Sequence, residues 1–549
     1  MLVVRGIRTA TEAKEYIRPS LAELHDPFLM RDMDKAVARL EAALSNNERI
    51  LVYGDYDVDG TTAVALMYTF LKSHTQNIDF YIPDRHTEGY GISFKGIDYA
   101  NSTGCTLIVA LDCGIKAVEK VEYAKKYGID FIICDHHTPG EQLPAAVAVL
   151  NMKRSDCPYP YKDLSGCGVG FKLVQAYSQK HDIPIDWHQV LPLTAMAIAS
   201  DIVSVTGENR ILEFFGLKEL SKNPTAGIAA LIDVAGIDSR HVTINDLGFK
   251  IGPRINACGR LYSGREAVEL LLTEDSEFAA RRAKDVNDHN AERQNYDRQT
   301  VDDALNILAK DPMNSEKHTT VVYSPEWHKG VLGIAASKLT ETFYRPTIVL
   351  TKDDDSGILT GSARSVAGFD LYAAIDSCSD LLTNFGGHQF AAGLSMTEAS
   401  LPEFKRRFED YVATHITEAQ LHPTIEVEAE INFADITEHF FKVLRSLEPF
   451  GPGNPSPMFV TRNVINSRYT KRVGKMGEHL KLDVTDRSKD EYGRPVAITG
   501  IAFNYGDLAL HLQNGNAVDV CYELDENVYN GMRSIQMRVA DIKSREIVN

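Results

Sequence analysis

The chain has 549 residues, 44% apolar and 24% charged, a globular balance that argues against a disordered or fibrous polymer. About three domains of roughly 150 residues are expected at that length. Lys and Arg total 58 against 76 Asp and Glu, a net charge of −18, which argues against non-specific coating of duplex DNA but leaves room for a local basic track on one face.

Met33, Val37, Leu40 and Leu44 recur at helical spacing and feed an apolar run at 50–53, read as a helix followed by a buried strand. Strand-like runs at 106–111, 131–134 and 146–150 alternate with helical stretches at 61–72 and 117–127, which predicts a mainly parallel sheet covered by helices. Beyond Asp201 the pattern turns helical, and the polar run 277–310 reads as a long connecting helix. A second, smaller α/β domain follows, with strands at 319–323 and 347–350 and helices over 331–342, near 371–382 and over 401–414. After His422, short alternating segments at 424–431, 458–464, 479–484, 497–503, 517–522 and 534–539 predict a small β-barrel of the OB type, suited to single strands. The Pro/Gly-dense stretch 449–457 reads as a rigid turn entering that barrel.

No apolar run approaches the roughly 18 to 20 residues of a membrane span. Residues 1–11 carry two arginines without an apolar core and cleavage site, so no secretory signal, no membrane and a cytoplasmic protein are expected. Eight cysteines without one CxxC pair predict buried, reduced thiols.

The strongest chemical signal is Asp55, Asp57 and Asp59 within Gly54–Thr62, directly after a strand and before a helix. Alternating carboxylates repel one another, and a divalent cation is the economical reason to cluster them. Acidic or imidazole groups recur at two more strand ends, Asp112 and the run Asp135, His136, His137, and Asp201 could close the cluster. Ligands bind beyond the carboxyl ends of parallel strands, so groups that singly read as caps or turn residues jointly predict one site. Carboxylates and imidazoles without thiolate suit Mn²⁺ or Mg²⁺, with two ions about 3.5 to 4 Å apart arranged for in-line attack at phosphorus. Strand alternation turns Cys113 and Cys134 away from their neighbours' direction.

The order DxDxDG, LDCG, DHH and a later Asp resembles the DHH phosphoesterase superfamily. With the segments around Trp327–Gly333, Gly361–Ser365 and Arg254–Arg260, the chain is similar over nearly its whole length to the RecJ family of 5′-to-3′ single-stranded-DNA exonucleases. The resemblance implies an N-terminal helical segment (1–48), a DHH catalytic domain (49–275), a connecting helix (276–312), a DHHA1 domain (313–420) and an OB-fold nucleic-acid-binding domain (421–549). It implies Asp57 on the first metal, Asp59 on the second and Asp112 bridging. By the same resemblance His136 and Asp201 would complete the second site, His137 would face the scissile phosphate, and Asp55 and Asp135 would serve as a further ligand or as orienting groups.

Gly386, Gly387 and His388 with Ala391–Gly393 resemble the DHHA1 signature, where glycines allow close approach to a phosphate and His388 could donate to it; a buried structural His in a tight turn is the lesser alternative. Arg85, Arg260, Ser362 and Arg364, with His328, match positions that in the family serve the terminal 5′-phosphate, and guanidiniums fork well onto phosphate oxygens. Cys258 and Ala363 stand where other small residues, Ala and Gly, are expected. Gly166, Gly168 and Gly170 lack the full GxGxxG spacing and read as a turn that starts a helix; no Walker A sequence is present, so ATP is not implied.

Arg468, Tyr469, Lys471, Arg472, Lys475 and Lys481 form the densest basic cluster of the barrel, a pattern for backbone contact and base stacking, with a solvated hairpin as the plainer alternative. The expectation is a monomeric, metal-dependent nuclease of single-stranded DNA in repair and recombination, working beside a single-strand-binding protein and a helicase. Two alternatives compete: a phosphodiesterase for short oligonucleotides or cyclic dinucleotides, and a scaffold that keeps the fold without chemistry. The long connector and barrel speak against the former, the intact acidic and imidazole set against the latter.

Overall fold

A computed structural model describes residues 1–85, 87–353, 356–529 and 532–544. The first sheet has five parallel strands, β1 (Arg49–Gly54), β2 (Ile78–Tyr81), β3 (Cys105–Leu111), β4 (Asp130–Cys134) and β5 (Ala148–Leu150), in the order β2-β1-β3-β4-β5. β1, β3 and β4 are near-continuous runs of buried residues, as helices on both faces of a parallel sheet require. The helices Val58–Lys72, Phe94–Ser102 and Val118–Lys125 connect successive strands. β2 and the helix Phe94–Ser102 are not apparent from the sequence: β2 is a four-residue edge strand with only Ile78 and Phe80 buried.

The helix Ser276–Ala309, 34 residues long, matches the expected connector. Beyond it lies a second sheet of β6 (Thr320–Tyr323), β7 (Thr347–Lys352), β8 (Leu359–Arg364), β9 (Leu382–His388) and β10 (Ala391–Met396), ordered β6-β7-β8-β10-β9. Only β6 and β7 run parallel; the remaining neighbours are antiparallel. The helix expected near 371–382 ends at Asp376, and the chain turns into β9. β8, β9 and β10 are rich in Gly, Ala and Ser, which have little strand propensity of their own, so pairing rather than local preference makes them strands. Phe404, Phe408, Leu359, Leu394 and Met396 fill the core beneath them.

By internal contacts the chain divides into two compact units. Both sheets belong to the unit formed by Pro27–Asp201 and Lys218–Thr424. The other comprises Met1–Asp26, Ile202–Leu217 and the chain from Ile425 onward. It contains β11 (Ala429–Glu430), β12 (Phe459–Asn466), β13 (Lys471–Val473), β14 (His479–Thr485), β15 (Ile498–Ala502), β16 (Val518–Tyr529) and β17 (Met532–Ser544).

These seven strands form one sheet, ordered β11-β12-β16-β17-β15-β14-β13, and an extra pairing of β12 with β14 curls it back on itself. The result is the expected OB-type barrel, with Phe433, Phe459, Leu480, Leu482, Tyr522 and Met537 in its core. The amphipathic helix Glu438–Arg445, which adds Phe441 and Leu444 to that core, is not apparent from the sequence. The Pro/Gly-dense stretch is ordered as expected: buried Asn454 donates through Nδ2 to the carbonyls of Leu447 (3.0 Å) and Pro449 (2.8 Å).

Candidate active site

β1 ends at Gly54, and the chain turns at once into the helix Val58–Lys72. Asp57 caps that helix by accepting from the Gly60 amide at 3.0 Å, which leaves Asp59 in the first turn. The turn is tight enough that a Cβ on Gly60 would lie 2.4 Å from the Asp55 carbonyl oxygen, so only glycine fits. Asp59 is buried and accepts from the backbone amides of Gly166 (2.6 Å) and Cys167 (2.7 Å) at the start of the helix Gly166–His181. Donors and positive helix end thus both face one carboxylate. A Cβ on Gly166 would lie 2.5 Å from Cβ of Asp112. The Gly166–Gly170 run therefore starts a helix, as its spacing suggests, and also belongs to the site, which its spacing does not reveal.

β3 delivers Asp112 and β4 delivers Asp135, His136 and His137, so three adjacent strands converge on one edge. Asp112 adopts φ of 57°, in the left-handed region, while its amide donates to the Cys134 carbonyl at 2.9 Å. Nε2 of His136 lies 3.2 Å from Asp112 Oδ1, 3.5 Å from Asp201 Oδ2 and 3.8 Å from Asp59 Oδ2. Asp201 comes from the end of the helix Trp187–Ser200. Asp135 holds His137: its Oδ1 accepts from the His137 amide at 3.0 Å and lies 2.8 Å from Nδ1 of the ring. Tyr90, which its sequence context does not mark as a site residue, joins this edge. Its hydroxyl donates to the Asp112 carbonyl at 2.9 Å and lies 3.2 Å from His137 Nε2.

The electrostatics follow from crowding like charges in a buried place. Burial, then the charge of Asp57, pushes the Asp59 carboxyl up to about 7. Burial and neighbouring carboxylates push Asp55, Asp112 and Asp201 well above the ordinary range. Burial, reinforced by His137, drives His136 down to about 3, so its imidazole is neutral. For Asp135, burial is outweighed by the hydrogen bond and charge of His137, and the carboxyl stays low; the same contact holds His137 above its usual range against burial.

Asp55 Oδ2, Asp112 Oδ1 and both ring nitrogens of His136 are buried without a hydrogen-bond partner among the described residues. Buried orphan lone pairs are costly, and oxygen and neutral imidazole donors are what a hard or borderline cation takes. Asp59, His136 and Asp201, and likewise Asp112, His136 and His137, offer ligand atoms all within 4.8 Å of one another. Cys113, Cys134 and Cys167 are buried, and burial pushes each thiol up. The residues present fit divalent cations held by carboxylate and imidazole.

A second constellation in the same unit is basic. Arg85, Arg260, Lys329, Ser362 and Arg364 line a cavity of about 300 Å³ with Gly330, Gly333, Thr360 and Gly361. Arg364 donates to Ser362 Oγ at 3.1 Å and Arg260 to the Gly330 carbonyl at 3.0 Å. Burial, then the charge of Arg85, brings Arg260 down to about 10. His328 flanks this cavity without lining it; its Nδ1 accepts from the Gly330 amide at 3.1 Å and its ring stacks on Tyr296. His388 is exposed at the end of β9, accepts from the Phe390 amide at 3.3 Å, and is not brought into the cavity lining. Ala363 sits within β8 and does not have positive φ.

In the barrel, Lys471 on β13 lies directly opposite Lys481 on β14. Like charges in that position are destabilising in themselves. Arg468, Tyr469, Lys475 and both lysines are exposed, Tyr469 to 72%, while Arg472 pairs with Asp507 at 2.8 Å.

Three stretches match known families: residues 49–198 the DHH family, N-terminal domain, residues 316–414 the DHHA1 domain, and residues 427–541 the RecJ OB domain. The single-stranded-DNA-specific exonuclease RecJ of Bacillus subtilis is 34% identical over 98% of this chain and 67% of its own length. The protein of that name from Escherichia coli is also 34% identical, over 98% of this chain and 94% of its own. The crystal structure of RecJ from Thermus thermophilus in complex with Mn²⁺ superposes with a TM-score of 0.82 at 29% identity, covering 99% of this chain and 75% of that one. Its Mg²⁺ complex gives 0.77 at 28% identity, over 99% and 74%. The chain therefore belongs to the RecJ family of single-stranded-DNA-specific exonucleases.

Proposed function

We propose that this protein hydrolyses single-stranded DNA from its 5′ end to mononucleotides, in DNA repair and recombination, with two Mn²⁺ or Mg²⁺ ions at the sheet edge. The observation that carries the reading is the convergence of Asp59, Asp112 and Asp201 within 3.8 Å of one neutral imidazole, His136. When bound, such cations neutralise charge on the phosphate oxygens and make water a stronger nucleophile near neutral pH.

Asp57 and Asp59 would hold one ion each and Asp112 would serve both, with His136 and Asp201 completing the second set of ligands. Asp55 is a further ligand or orienting group. His137, its ring fixed between Asp135 and Tyr90, faces the scissile phosphate. Arg85, Arg260, Ser362 and Arg364 hold the terminal 5′-phosphate, with His328 beside them; His388, exposed outside the cavity lining, has no part in this pocket. Polarity then follows from one phosphate pocket serving one reacting centre. Arg468, Tyr469, Lys471, Arg472 and Lys475 track the strand by charge and stacking.

The functional division runs 49–275 for catalysis, 276–312 for the connector, 313–420 for phosphate holding and 421–549 for strand binding, after the leading segment 1–48. The protein acts as a monomer in the cytoplasm, beside a single-strand-binding protein and a helicase. Among the described residues no helix is long and apolar enough to cross a membrane. A 5′-labelled single-stranded oligonucleotide incubated with Mn²⁺ should release labelled mononucleotide first. Initial loss from the 3′ end would rule the polarity out.

A further inference from the structure

A second group of ligand-type side chains lies away from the sheet edge, on three helices of the same unit. Cys258 belongs to the helix Gly252–Leu261, Glu266 to the helix Gly264–Leu272, and His289 to the long helix Ser276–Ala309. One donor atom from each lies within 4.8 Å of the other two. Glu266 Oε2 and His289 Nδ1 are buried and have no hydrogen-bond partner among the described residues. They are 3.9 Å apart, too far for a hydrogen bond but near the separation of two ligands on one tetrahedral ion with bonds of about 2.0 to 2.3 Å.

The imidazole is aimed before any ion arrives. Its ring stacks on Tyr262 with centroids 3.6 Å apart and planes 18° apart, and the Tyr262 hydroxyl is itself held by Glu292. The Cys258 thiol, fully buried, makes a long contact of 3.8 Å with the Arg254 carbonyl. Arg282 lies 3.9 Å from Glu266 Oε2 and is held more closely by Glu269 at 3.3 Å, so it balances charge at the edge of the cluster without filling it. The glutamate and histidine side chains are 27% and 16% exposed, which gives an ion a way in.

We propose that Cys258, Glu266 and His289 bind one thiophilic divalent cation of the Zn²⁺ type, at a site distinct from the catalytic centre. The mixed sulfur, nitrogen and oxygen donors select a borderline-soft ion over Mg²⁺, and three protein ligands leave a fourth position for water. The ion ties the long connecting helix to the helix Gly252–Leu261. That helix also carries Arg260 of the basic cavity and Asn256, whose side-chain oxygen accepts from the Val58 amide at 3.2 Å.

Co²⁺ titrated into metal-free protein tests this, because a Co²⁺–thiolate bond has its own charge-transfer absorption. The wild-type protein and the Asp112→Ala variant should both show the band, and Zn²⁺ should displace it. Cys258→Ala should abolish it while Mn²⁺-dependent cleavage persists. His289→Gln, which keeps the thiol, should weaken Co²⁺ binding at this site by at least about tenfold. Absence of the band in wild-type protein overturns the proposal, as does its survival in Cys258→Ala or unchanged Co²⁺ affinity in His289→Gln. The Co²⁺ readouts do not report on the nuclease reading, which is judged by cleavage alone.

Discussion

The sheet edge and the basic cavity are built on the same physical plan with opposite sign. At the edge, Asp55, Asp59, Asp112 and Asp201 are gathered in burial until their carboxyls rise far above the ordinary range. In the cavity, Arg260, Arg364 and Arg85 are gathered until Arg260 falls to about 10. Each cluster folds against its own repulsion, and each would be relieved by a ligand of the other charge. The difference lies in how the groups are held. At the edge two backbone amides, of Gly166 and Cys167, hold Asp59, whereas in the cavity the held groups are side chains, with Arg364 donating to Ser362 on the same strand and Arg260 to the Gly330 carbonyl. A reacting centre needs fixed positions from many directions. A holding pocket needs mainly charge and a fork.

The sharpest way to break this comparison is to remove one member of each cluster. Asp112→Ala should lower turnover by about a thousandfold or more, the scale of losing one transition-state stabiliser, while fluorescence anisotropy shows single-strand binding largely intact. Near-normal turnover would remove Asp112 from the centre. Arg364→Ala should act on recognition: the ratio of kcat/KM for 5′-phosphorylated over 5′-hydroxyl strands should fall by roughly ten- to a hundredfold, the worth of a charged hydrogen bond. Equal losses on both substrates would deny the pocket its role. The smallest effect belongs to the barrel, where replacing Lys471 and Lys481 by Ala together should weaken binding a few-fold and flatten its salt dependence by roughly one to two phosphate contacts. An unchanged salt slope would mark the pair as a solvated hairpin.

Much of the first sheet and its edge could be read from the chain alone. Strand ends announce themselves as apolar runs that stop at Asp or His, and Asp59, Asp112 and His136 from three such stops come together, with Asp201 from the end of a helix. β8, β9 and β10 could not, because small residues acquire strand geometry only from their partners. The amides that hold Asp59 could not either, since a backbone donor has no side-chain signature and its acceptor lies more than a hundred residues away. Tyr90 was hidden for a similar reason: its hydroxyl reaches a main-chain carbonyl, a contact any residue type at 112 would offer. His388, which its motif brings to notice, stands exposed outside the cavity lining.

The grip on Asp59 has a consequence for how this protein tolerates change. Two main-chain amides survive exchange of the side chains that carry them, so Cys167 can drift while its contribution to the centre persists. Gly166 cannot, for the methyl group of even an alanine would collide with Asp112. Along this stretch the mutational record should be uneven, open to other small apolar residues at the buried position 167 and closed at 166, although both residues offer the same kind of atom to the same carboxylate.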